Sequence, residues 1–368
     1  MSNKHKDLYF IVLPIIVFIN LIIAWYNGDY LSPDSHDYIR ISNDLPKIKD
    51  SLFPLFYPAL LKITNIIINN YLITYKVINV FSILFCYVYT YKFKFFWKEL
   101  WVILTFSSFQ YNYIFAWSEN IVLPLLIIFF HLNYLFYVNK INEKKYILKN
   151  ILTLILLILT KYNSVFFVFP SIIISLMYIR SNKKFIYTFI SCLGAMFFLA
   201  FYLFINYQLT GFITGDRARL VKLDFKIYLW QSIFGIMPAI EPFGSSLSKM
   251  KDFQRFIGIW QLPIVFTFSI FISVMIIIVK RSKCYVTKYN LFLLINSFSF
   301  LILTLISAYF TRIDILGPRL LLGFSLPLLL SIFVFIKANK INVSPFLLLS
   351  IALVSSLLHT ITCIIYGF

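Results

Sequence analysis

LYFIVLPIIVFINLIIAWYNGDYLSPDSHDYIR, residues 8–40, decides how the rest of the chain is read. Its first half, Leu8 to Trp25, carries no charge and comes close to the roughly 20 apolar residues that cross a bilayer. Lys4 and Lys6 precede it, as they would in a signal peptide. The run ends in Trp25-Tyr26 rather than a small-x-small cleavage site, so it reads as an uncleaved first span with an aromatic interface anchor. The second half is the first polar ground after that span, and gathers Asp34, His36 and Asp37. Its plain reading is a solvated loop that caps a helix, since Pro33-Asp34-Ser35 places a carboxylate near the positive end of a helix dipole.

The remainder of the 368 residues resembles the first half more than the second. Hydrophobic residues make up 61%, only 13% are charged, and the mean hydropathy is +0.86. About half apolar is usual for a soluble globular domain. Apolar runs near span length recur along the whole chain, so the predicted class is an all-α, polytopic membrane protein forming one integral-membrane domain over residues 1–368. Cys86, Cys192, Cys284 and Cys363 show no metal-ligand spacing and indicate neither a disulfide framework nor a zinc site.

Spans are predicted at about 8–25 and 71–91, two within 100–138, and two short ones within 150–179 that turn at Lys161-Tyr162-Asn163. Others follow at about 185–206, 259–279, 290–310, 317–336 and 344–366. Six clusters (1–7, 92–99, 139–149, 180–184, 280–288 and 337–340) hold 18 of the 33 Lys and Arg residues, but only Asp7, Glu99 and Glu143 of the 14 acids. By the positive-inside rule those clusters are cytoplasmic. About 11 transmembrane helices result, with the N-terminus cytoplasmic and the C-terminus outside, in the plasma (inner) membrane. The net charge of +19 is thereby accounted for without nucleic acid. Thirty residues are tight for two crossings at 150–179, at 1.5 Å rise per residue, and a single crossing would invert everything after it.

This topology puts the polar peculiarities on one face. They are the exoplasmic loops 27–70 and 207–257, Glu119 at a span junction, Lys161, and the stretch from Arg312 to Arg319. Asp34 and Asp37 would share a helix face, close enough to perturb one pKa or to share a cation. Ionisable groups at membrane depth, such as Glu119, are costly and are functional candidates. An interfacial Glu in contact with water is the bland alternative, and snorkelling is the bland alternative for Lys161. Arg217, Arg219, Lys222 and Lys226 form a cationic strip suited to phosphate, because Arg offers paired planar donors. Arg319, after Gly317-Pro318, wants an anionic partner, either Asp314 or a lipid phosphate. His36 beside Asp34 is weak evidence for a metal, and no metal ligand is assigned.

In this order these residues resemble the GT-C superfamily of integral-membrane glycosyltransferases, most closely the branch of protein O-mannosyltransferases and the lipid A aminoarabinose transferase. The likeness rests on Asp34 with Tyr38 after the first span and on Phe53-Pro54-Leu55-Phe56-Tyr57-Pro58. It continues through Trp117-Ser118-Glu119-Asn120, Leu159-Thr160-Lys161, and Arg319-Leu320-Leu321-Leu322 with Pro327. It covers residues 8–165 and, more loosely, 311–330; Leu320 stands where an aromatic is usual, and no large soluble C-terminal domain follows.

The resemblance implies inverting transfer of a sugar from a polyprenyl-phosphate donor to an exoplasmic glycan, lipid or protein acceptor, with the active site extracytoplasmic and in contact with membrane lipid. Asp34 would be the general base, with Glu119 orienting it or sharing a metal. Asp37, His36, Tyr57, Lys161, Arg217, Arg219 and Arg319 would bind substrate. A divalent cation stays open, because some relatives use one and others do not. Two other classes fit the composition. A lipid-linked oligosaccharide polymerase or ligase would depend on the arginines of 207–257, and a lipid or sugar flippase would need charged or broken helices at the midplane.

Overall fold

The computed structural model describes residues 9–29, 31–49, 52–214, 224–243, 286–311, 316–341 and 343–366. Among them every regular element is a helix. Arg217, Arg219, Lys222, Cys284, Arg312, Asp314 and the span expected at 259–279 lie outside the described residues.

The first span is a 3₁₀ turn, Tyr9–Ile11, continued by α1, Val12–Asn27. The polar segment expected as the loop 27–70 is mostly two helices, α2 (Pro33–Asp44) and α3 (Phe56–Ile68). Helix α2 forms because Ser32 and Ser35 make a reciprocal capping box, each side chain accepting the other's backbone N–H, with Pro33 pre-set in the first turn. It then buries Ser35, Tyr38, Ile41 and Ser42 on one face. Tyr38, Tyr57, Leu61, Tyr75 and Ile78 make a small aromatic core between α2, α3 and the next span. Cap and core together keep this segment from being loop.

Helix α4, Tyr71–Phe93, matches the second expected span; Asn70 caps its start and Lys94, at φ 50°, ends it. The region expected as two spans within 100–138 holds only one long helix, α7, Glu119–Tyr137. Before it the chain makes α5, Trp97–Leu104, and α6, Ser107–Asn112, then runs without regular helix to Ser118. Nearly all of 97–118 is buried. Irregular backbone is tolerated at membrane depth when protein surrounds it. Here Asn79 on α4 donates to the carbonyls of Tyr113 (2.9 Å) and Phe115 (3.0 Å). Asn120 donates to the Asn79 amide oxygen (2.8 Å) and again to Phe115 (2.9 Å).

Helix α8 spans Glu143–Thr160, a 3₁₀ turn occupies Tyr162–Phe167, and α9 covers Val168–Ile179. A second 3₁₀ turn at Lys183–Phe185 leads into α10, Ile186–Thr210. Helices α8 and α10 run parallel, with Tyr146 beside Thr188 (3.2 Å) and Asn150 beside Ser191 (2.7 Å), so α9, which joins them in the chain, returns in the opposite direction. The chain therefore doubles back at Lys161. Room for this comes from the lysine cluster, because α8 starts at Glu143 and carries Lys144, Lys145 and Lys149 in its own first turns. Long lysine stems reach past apolar surface while the ammonium stays wet.

After α11 (Phe225–Ile240), the last helices are α12 (Lys288–Thr311), α13 (Leu322–Ala338) and α14 (Pro345–Tyr366). Helix α14 lies parallel to α1, its Ser356 hydroxyl accepting from Asn20 at 2.6 Å. Among the described residues, six helical stretches are long and apolar enough to cross a bilayer: Tyr71–Phe93, Glu119–Tyr137, Tyr162–Ile179, Lys183–Thr210, Lys288–Phe310 and Pro345–Ile365. Shorter apolar helices are Val12–Asn27, Phe56–Ile68 and Leu322–Ala338. This is the architecture of a multi-pass helical membrane protein.

Basic residues collect at one end of the bundle. Lys337 pairs with Glu99 at 2.7 Å and lies over Phe96, whose ring meets Tyr134. Lys184 donates to the Phe136 carbonyl at 3.0 Å, and Lys288 sits over Tyr178. Asp34, Glu119, Lys161 and Arg319 gather at the other end.

Candidate functional site

Each of these four side chains is delivered by an element boundary. Asp34 sits in the first turn of α2, and Glu119 is the first residue of α7. Lys161 follows α8 as its C-cap, and Arg319 lies in the turn before α13. Arg319 links the acids: its Nη2 meets Asp34 Oδ2 at 2.5 Å and its Nε donates to Glu119 Oε1 at 2.8 Å. Lys161 Nζ donates to the same Glu119 oxygen. The Arg319 guanidinium lies 4.3 Å from the Trp117 ring centroid, and Trp117 stacks on Phe115 at 4.2 Å. Such stacking suits the planar guanidinium, which can lie on the ring while it donates to both carboxylates.

The acids differ in access. Glu119 is 1% exposed, whereas the Asp34 side chain is 26% exposed. Both Glu119 oxygens are engaged, Oε1 by the two cations and Oε2 by the Ser118 hydroxyl at 3.3 Å. Tyr38 donates to Ser118 at 2.8 Å, and Trp117 Nε1 donates to Ser32 at 2.6 Å. The second bond ties the cap of α2 directly to the junction carrying Glu119. Burial, reinforced by the Glu119 charge and opposed by Arg319, pushes the Tyr38 phenol well above its usual range, so it stays a donor. Glu119 is thus buried and fully engaged, and Asp34 is the partly exposed carboxylate of the pair.

The other expected residues fall elsewhere. Tyr57 is fully buried beneath Tyr38, edge-to-face at 5.0 Å. His36 is on the exposed face of α2, and Asp37 pairs with Arg40 at 3.2 Å. Among the described residues no three His, Cys, Asp or Glu side chains come together. Between Asp34 and Glu119, where a bridging cation would have to sit, the Arg319 guanidinium already bonds both.

Sequence reasoning passed over Asn79 and Tyr38's partner Ser118. A polar amide inside an otherwise apolar span was the available signal for Asn79, since such groups must find partners there.

A cavity of about 10 Å³, lined by Glu119, Lys161, Arg319, Asn163 and Gly323 among others, adjoins the cluster. That is room for about one water. On another face of α7 an apolar groove of about 390 Å³ opens between α3, α4 and α7, lined by Leu60, Val77, Phe81, Phe85, Ile121 and Pro124. The cluster carries two negative and two positive charges, a balanced set in which an incoming anion can take Asp34's place on Arg319. Comparison with protein-family models, curated proteins and solved structures returns no match for this chain.

Proposed function

We propose that this protein is a membrane glycosyltransferase that moves a sugar from a polyprenyl-phosphate donor to an acceptor hydroxyl or amine. The observation that carries the reading is the meeting of Asp34, Glu119, Lys161 and Arg319, far apart in sequence, at the end of the bundle opposite the basic clusters. The chain crosses about 11 times, and the site faces the extracytoplasmic side. A lipid phosphate docks on Arg319 and Lys161 and draws the guanidinium off Asp34. The freed carboxylate takes the acceptor's proton as the acceptor attacks the anomeric carbon from the face opposite the phosphate. The carbon–phosphate-oxygen bond breaks, its electron pair leaves with the lipid phosphate, and the configuration inverts. The cations stabilise that developing charge, and Glu119 keeps them in place.

Donor binding tests the reading directly. Wild-type protein in liposomes is expected to bind a polyprenyl phosphate, and Arg319→Ala to bind it about ten- to a hundredfold more weakly. Hydrogen bonds to a charged group contribute about 1.5–3 kcal/mol. Unchanged binding by Arg319→Ala would remove the donor from this site. Orientation is tested separately, with single cysteines in a cysteine-free background. Those at Ser51 and Ser246 are expected to react with an impermeant thiol reagent in intact cells, and one at Ser181 to stay unlabelled. Labelling at Ser181 would put the basic end outside.

A further inference from the structure

Helix α11 belongs to the central segment of the chain, which supplies none of the four clustered residues Asp34, Glu119, Lys161 and Arg319. It is pinned near both ends. Tyr228 donates to the Leu305 carbonyl at 3.2 Å and packs against Tyr309. Just beyond its last turn, the Pro242 carbonyl accepts from Ser355 at 2.5 Å and from the Ser107 hydroxyl at 3.2 Å. Between these anchors α11 presses backbone to backbone on the turn that carries Arg319. A Cβ placed on Gly235 would lie 1.6 Å from the Leu316 carbonyl oxygen and 2.6 Å from its carbonyl carbon. No side-chain rotation relieves a clash with backbone, so any residue but glycine must push Leu316 away. Leu316 is itself buried, and the Gly317 carbonyl after it accepts from Leu321 N in the turn that carries Arg319.

We propose that α11 is a strut that sets the position of Arg319, with Gly235 as the positioning residue. The short path from Gly235 through Leu316 to Arg319 ends on the bonds from Arg319 to Asp34 and to Glu119. The bond between Lys161 and Glu119 lies off that path. Displacement by about 1 Å is enough to cost an oriented site roughly a hundredfold, so a single methyl group at Gly235 separates the two acid–base pairs in their response. The strut holds Arg319 whatever the cluster binds, and its test needs no substrate.

The experiment is a pair of double-mutant cycles read by thermal unfolding of the full-length protein in detergent, one for Asp34 with Arg319 and one for Glu119 with Lys161. Contacting residues show non-additive effects in such cycles. In the wild-type background both pairs are expected to couple. In Gly235→Ala the Asp34–Arg319 coupling is expected to disappear while the Glu119–Lys161 coupling persists. Tyr228→Phe adds no atom and removes one anchor of α11. It is expected to weaken the same coupling, and it decides the matter if Gly235→Ala does not reach the membrane. Gly194→Ala on α10, where a Cβ would meet only the flexible Ile151 side chain at 3.0 Å, is the control and should change neither coupling. Three results would overturn the strut: no Asp34–Arg319 coupling in wild type, that coupling intact in the strut variants, or equal loss of both couplings.

Discussion

Asp34→Asn should reach the membrane at the wild-type level and transfer sugar at least about a hundredfold more slowly, the lower end for a lost general base. Asn is nearly isosteric with Asp, and its amide oxygen can still accept from Arg319. The capping box of α2 uses Ser32 and Ser35 and leaves Asp34 out, so the helix start survives. What the substitution removes is the capacity to take a proton. The bond that the amide oxygen keeps with Arg319 holds the stability cost down. The measurement is transfer from a labelled polyprenyl-phosphate sugar by equal amounts of reconstituted protein. Asp37→Asn is the internal comparison and should be milder, since Asp37 pairs with Arg40. Full transfer by a well-expressed Asp34→Asn protein would end the general-base mechanism. It would favour a polymerase or ligase working through Arg217 and Arg219.

The second large effect concerns folding. Glu119→Ala is expected to destabilise the protein by about 3–5 kcal/mol, the usual result of removing one partner of a buried ion pair. It leaves Lys161 and Arg319 beside each other with only Asp34 to balance them, and it empties space beside a fully packed junction. Lys161→Met in the same chain should return part of the loss by removing one stranded cation. Glu119→Gln should resemble the alanine variant more than wild type, because the missing charge matters more than the missing bond. Thermal unfolding in detergent measures all four proteins. Wild-type stability in Glu119→Ala would mean that the cations are held by something other than this carboxylate.

The elements legible in the sequence are those whose composition and structure agree. Tyr71–Phe93 is a long, mostly apolar run with an Asn cap before it, and it reads as helix from either direction. The turn at Lys161 is legible because a cation and an Asn interrupt hydrocarbon. Asp34, Glu119 and Arg319 stand out for the same reason, charges being scarce in this chain. The break in 97–118 is not legible, because Trp101, Val102, Ile103 and Leu104 are as apolar as any span. Its cause is tertiary, in carbonyls claimed by Asn79 and Asn120 and an amide claimed by Pro242 and Ser355. Likewise α2 hides inside a segment whose average polarity suggests loop, because only one of its faces is apolar. Nor does any local pattern announce that Arg319 would bond Glu119, 200 residues earlier.

The irregular segment 97–118 also bears on how this protein matures. Its backbone is held partly by partners that do not yet exist when the segment emerges. The Ser107 hydroxyl finds the Pro242 carbonyl 135 residues downstream, and the Ser107 amide finds the Ser355 hydroxyl 248 residues downstream. These bonds can form only after α11 and α14 have been made, so residues 97–118 reach their final arrangement late. The junction that presents Trp117, Ser118 and Glu119 is finished only when the last helix has been made.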